Sequence, residues 1–167
     1  MRKLFILISI LAIGPTLAAD ITNPQTDASQ LTTGVLPSAR LGGMANISAT
    51  LGAPVALNNI ANFFDGPSIA QGSVGTWYIS ATATVDDVVG SADIGCKLWD
   101  GTTVIDSGGS STAAAGKVAS VDLSGVITSP AGNIKISCRD FTSVNGQILN
   151  NFTGAGKDTS ITAFRIN

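Results

Sequence analysis

Apolar and polar residues alternate with a period of two over most of the chain beyond Ala56, and Gly, Asp, Asn and Pro interrupt the alternation at short intervals. A period of two sends successive side chains to opposite faces of an extended strand, so the pattern predicts strands with one buried face. It is cleanest where Ala119, Val121 and Leu123 interleave with Val118, Ser120 and Asp122, and where Ile161 and Ala163 interleave with Thr162 and Phe164. The strands read in this way span 55–64, 75–85, 92–99, 102–106, 117–128, 132–139, 146–152 and 159–166. The clearest turn lies between Lys97 and Ile105, where two β-prone runs meet at Asp100-Gly101, a pair that tolerates the positive φ angles of a type I′ hairpin. Eight antiparallel strands in about 110 residues bury their apolar faces by forming two sheets, which predicts an all-β sandwich of jelly-roll type. A seven-strand immunoglobulin-like sandwich is the alternative.

The N-terminus follows a different pattern. Met1-Arg2-Lys3 is basic, Leu4 to Ala12 is almost wholly apolar, and Gly14-Pro15 precedes the small residues around Ala18. This is the layout of a secretory signal peptide, with cleavage after Ala18 placing Thr16 and Ala18 at the two small-residue positions. As an uncleaved helix, Leu4 to Ala19 spans only about 24 Å, short of a hydrocarbon core of about 30 Å. The membrane therefore enters the account only through an uncleaved leader. Residues 19–54 are rich in Thr, Ser, Ala, Gly and Pro and lack aromatics, which predicts a stalk or linker ahead of a sandwich domain at 55–167.

Composition narrows the function classes. Without Arg2 and Lys3 the chain keeps seven basic against eleven acidic side chains, the wrong balance for binding nucleic acid by charge. Histidine is absent, which removes the commonest general base and metal ligand and argues against an enzyme. A carboxylate-dependent hydrolase using two of Asp86, Asp87, Asp93 and Asp106 is the weakest of the readings.

Period two places Cys96 with Ile94 and Leu98, and Cys138 with Ile134 and Ile136, so both thiols face inward. In an exported chain such a pair reads as a disulfide closing a loop of 42 residues, and the competing reading is two buried thiols acting as apolar filler. Among surface candidates, Trp77, Tyr78 and Trp99 could form an aromatic platform for a sugar ring, or fill a core or subunit interface. Asp86, Asp87 and Asp93, with Gly90 between them, put three carboxylates near one turn, where hard oxygen ligands could hold Ca²⁺. Phe63 and Phe64 fall on opposite faces of one strand, so one of them needs a cover such as a neighbouring protomer.

The segments Phe63 to Ser68, Gly75-Thr76-Trp77, Lys97 to Thr102, Ile136 to Asp140 and Lys157 to Ala163 resemble the C-terminal jelly-roll modules of phage tail-fibre-like and bacterial surface proteins, whose fold is similar to C1q and tumour-necrosis-factor heads. Leu31 to Leu41 looks like the fibre stalk that runs into such heads. The resemblance implies a non-enzymatic homotrimer whose loops at 86–91, 106–116 and 140–146 are presented to a cell-surface or glycan receptor. The leader implies an exported protein, periplasmic, extracellular or on the cell surface, with a virion-associated protein as the alternative. A monomeric carbohydrate-binding module is the competing function.

Overall fold

A computed structural model describes residues 46–166. The predicted leader and the predicted stalk up to residue 45 lie outside the described residues. Ten strands make up the fold: β1 (Asn46–Thr50), β2 (Val55–Leu57), β3 (Phe64–Ile69), β4 (Thr76–Asp87), β5 (Ala92–Trp99), β6 (Val104–Thr112), β7 (Ala119–Thr128), β8 (Ile134–Asp140), β9 (Gly146–Leu149) and β10 (Ser160–Arg165). Among the described residues no helix is long and apolar enough to cross a membrane.

The antiparallel pairs β1 with β10, β2 with β9, β3 with β8, β4 with β7 and β5 with β6 nest inside one another, as in one long hairpin rolled into two sheets. That nesting is the jelly roll. The larger, six-stranded sheet is built on β4, and the smaller runs β3-β8-β5-β6. Their inner faces supply the core, in which Leu57, Ile79, Val85, Leu98, Ile134, Ile136, Ile148 and Ile161 are wholly buried. Strand β4 pairs with β7 along one edge, while on the other β10 takes Trp77 to Thr82 and β9 takes Thr84 to Asp87. Thr159 sits at that change of partner. Its buried hydroxyl accepts the Thr84 N–H at 3.0 Å and donates to the Leu149 carbonyl at 2.6 Å, satisfying groups that the ladder leaves open.

Four sequence expectations change. The run 55–64 is two strands in different sheets, because Asn59 turns the chain by accepting the Ala61 N–H on its side chain at 2.8 Å. Strand β1 falls inside the segment read as stalk, and pairs with β10 while Ile47 and Ala49 pack against the core. Gly108-Gly109, which falls between the predicted strands 102–106 and 117–128, lies within β6, where a Cβ on Gly108 would come within 3.3 Å of Val121. The Asp100-Gly101 hairpin is not a two-residue turn either. Its loop covers 100–103, Gly101 alone takes a positive φ of 95°, and Asp100 Oδ1 accepts the N–H groups of Thr102 and Thr103.

Candidate ligand-binding faces

Cys96 and Cys138 are register partners on β5 and β8 and form a disulfide, with Cα atoms 4.0 Å apart. The bond pins the two central strands of the smaller sheet from inside, which fixes the geometry of that sheet's outer face. Alternation then turns Asp93, Gly95, Lys97 and Trp99 of β5 outward beside Lys135, Ser137 and Arg139 of β8.

These residues form a cation and aromatic layer. The Trp99 indole N–H donates to Ser137 Oγ at 2.6 Å, Ser137 donates to Asp65, and Lys135 pairs with the same carboxylate. Burial alone would raise the Asp65 carboxyl, but the hydrogen bonds from Lys135 and Ser137 and the positive charges of Lys135 and Lys97 outweigh it and hold it below the usual range. Lys97 lies 3.3 Å from the centre of the Trp99 ring and 4.5 Å from that of Phe63, and burial chiefly lowers its ammonium. Arg139 stands between Phe63 and Phe141, at 5.1 and 4.0 Å. Phe63 therefore finds its cover in the chain's own cations, where the sequence suggested a neighbouring protomer.

Beside this layer, over β5 and β6, runs a trough of about 770 Å³ flanked by Phe63, Lys97, Asp93 and Phe141. Ser107, Gly109 and Ser111 of β6 face it opposite Lys97, Gly95 and Asp93. Phe141 rests its ring edge on Gly95, where no Cβ fits, and turns one face to Arg139. Phe141 and the glycine floor carried no sequence signal, since Gly95 and Gly109 become a floor only once the β5–β6 register pairs them.

The aromatic platform expected from sequence does not assemble. Trp77 is buried in the core with its indole N–H on the Val74 carbonyl, Tyr78 is on the outer face of the larger sheet, and Trp99 is on that of the smaller sheet. On the Tyr78 face, Phe164, Tyr78 and Val126 form one row across β10, β4 and β7. The neighbouring outward positions on those strands are Ser80, Thr82, Ser124 and Thr162, and Asp122 accepts the Thr82 hydroxyl at 2.7 Å.

The three carboxylates do not converge on a cation either. Asp87 and Asp86 point to opposite faces of β4, and Asp93 accepts the Ser111 hydroxyl on the smaller sheet. Asp87 is a turn cap: Oδ1 accepts the Val89 and Gly90 N–H groups at 2.7 and 2.8 Å, and Oδ2 accepts the Ser143 hydroxyl. Asp140 caps the next turn in the same way through Thr142 and Ser143. Among the described residues no group of three His, Cys, Asp or Glu side chains is arranged to hold a metal ion. What the caps accomplish is to bring loops together, since Val88 donates to the Asn145 carbonyl and Gly116 to that of Asp87. The end of the sandwich so formed exposes Val88, Val89 and Val144. Most of 106–116, expected as a loop, belongs to β6, and only 113–116 joins this end.

No protein-family model matches the chain, and neither does any curated protein. Among solved structures the chain is similar to the C-terminal CBM6 of LamC, a marine laminarinase from Zobellia galactanivorans, with 14% identity over 75% of this chain and 95% of that one and a TM-score of 0.35. It is also similar to Eiger TNF from S. frugiperda, with 11% identity over 73% and 85% and a TM-score of 0.40. The vertex protein P5 of PRD1 matches with 16% identity over 73% and 95% and a TM-score of 0.35. Overlaps of this size decide nothing about function.

Proposed function

We propose that the protein is an exported, non-enzymatic head module that self-associates through the outer face of its larger sheet, as a trimer by its resemblance to fibre heads, and presents the capped loop end to a surface or receptor. The observation that carries this reading is the Phe164, Tyr78 and Val126 row, with Tyr78 41% and Val126 55% exposed in the single chain. Around it the sheet offers short hydroxyl side chains, and the Asp122 carboxylate on that face is already held by the Thr82 hydroxyl, so a second copy can approach with little desolvation of charge. The disulfide supports an oxidising, extracytoplasmic compartment. At the loop end, the Asp87, Ser143 and Asp140 network ties together the loops that expose Val88, Val89 and Val144.

Changing both Tyr78→Lys and Val126→Lys puts two unpaired charges into that face. Sedimentation should then show the chain reduced to a folded monomer, whereas Val88→Lys, at the loop end, should leave the assembly intact. An unchanged oligomer in the double variant would remove the outer face from the account.

A further inference from the structure

We propose that the trough over β5 and β6 binds an uncharged saccharide, with a pyranose ring stacked on Phe141 and its hydroxyls shared among Asp93, Ser111, Ser107 and Lys97. The volume of about 770 Å³ falls within the range of small-molecule sites and far exceeds that of an ion. Phe141 is 49% exposed, yet its position is fixed. Its edge sits on Gly95, Arg139 covers one face at 4.0 Å, and the ring lines the trough with the other face not covered by that cation. A flat, pre-positioned ring of this kind suits the C–H face of a sugar, and costs no ordering on binding.

Hydrogen-bonding groups line the rest. Asp93 and Lys97 lie on one face of β5 and four residues apart, which separates their Cα atoms by about 13 Å, room for more than one ring. Between them, exposed Gly109 gives a floor without side chains, and Ser107 and Ser111 add hydroxyls. The opposite charges of Asp93 and Lys97 balance, so an anionic ligand meets a carboxylate at one end and a cationic ligand meets an ammonium at the other. A neutral polyol with one apolar face satisfies both ends. A peptide strand would instead need a free ladder edge, and β7 lies against the outer strand β6, with the Ser124 N–H on Asp106 and Val121 against Gly108.

This inference goes beyond the loop-end contact by adding a second ligand face with a named ligand class, and rests on the adhesive reading for the need of a ligand but not on self-association, since the trough and the Tyr78 row lie on opposite sheets. The test is calorimetric titration of the full chain with cellotriose, maltotriose and triacetylchitotriose, and with trigalacturonate as an anionic comparison. At least one neutral trisaccharide should bind with a dissociation constant of about 0.1 to 10 mM. Phe141→Ala should weaken that binding about tenfold. Ser107→Trp, which fills the trough from an exposed strand position, should abolish it, as should Asp93→Ala to a lesser degree if the tryptophan variant does not fold. Absence of binding to all three sugars, preference for trigalacturonate, or binding indifferent to Phe141→Ala, Ser107→Trp or Asp93→Ala in folded protein would overturn the proposal. Light scattering on the same samples separates the two readings: a monomer that binds sugar removes only self-association, and an oligomer that binds none removes only the trough.

Discussion

Single polar side chains carry much of the specificity of this sandwich, and Thr159 is the clearest. Its hydroxyl completes the hydrogen bonding of β4 and β9 where β10 gives way to β9, in a wholly buried position. Thr159→Val keeps the shape but strands the Thr84 N–H and the Leu149 carbonyl, and should cost about 2 kcal/mol in chemical denaturation, while Thr159→Ser should cost far less. Asp86 works in the opposite sense. Burial chiefly raises its carboxyl, the Gln147 side chain draws it down in part, and Asp87 pushes it up again. Its Oδ1 is buried with no partner among the described residues. A carboxyl raised by folding contributes stability below its unfolded value that is lost as pH rises through its folded one. Asp86→Asn should therefore melt a few degrees higher than the parent at pH 7, with the gain vanishing below about pH 4. Asp87 and Asp100 have the reverse sign. Burial would raise them, but hydrogen bonds led by Ser143 for Asp87 and by Thr103 for Asp100 outweigh it and lower both. Their contribution is present above the unfolded value of 3.8 and is lost as pH falls through the folded ones. The parent should thus lose stability steeply below about pH 4, and Asp100→Asn, weaker at pH 7, should show a shallower acid limb.

At the scale of elements, strands with one strongly apolar face are legible: alternation gives β5 its observed bounds, and β7, β8 and β10 theirs within two residues. Cys96 and Cys138 were legible as inward neighbours because period two fixes the face, although pairing depends on a register that no local pattern encodes. What escaped was governed by contacts remote in sequence. Strand β1 has only Ile47 and Ala49 to signal a buried face, and Gly108-Gly109 has turn composition but is held extended between Val121 and β5. The candidate site suffered most, since Trp77, Tyr78 and Trp99 go to three environments, and Asp87 spends its oxygens on turn N–H groups. The disulfide joins central strands of the smaller sheet, so reduction removes a constraint of 42 residues from the unfolded chain. It should lower stability by about 2 to 4 kcal/mol in denaturant, and with it any binding at the trough that β5 floors.

For the whole molecule, the nested pairing divides labour between two outer faces. The smaller sheet concentrates the cations Lys97, Lys135 and Arg139 with their aromatic partners, while the larger presents hydroxyls and the Phe164, Tyr78 and Val126 row. A charged face with a trough suits ligand contact, and a nearly uncharged face suits contact with a copy of itself. The measurement that bears most directly on this division is the solution mass of the chain from Ala19 onward, by light scattering at micromolar concentration. Three times the protomer mass is the predicted result, unchanged by EDTA because the Asp86, Asp87 and Asp93 carboxylates do not converge. A monomer would contradict the assembly and leave the larger sheet's aromatic row as ordinary exposed surface.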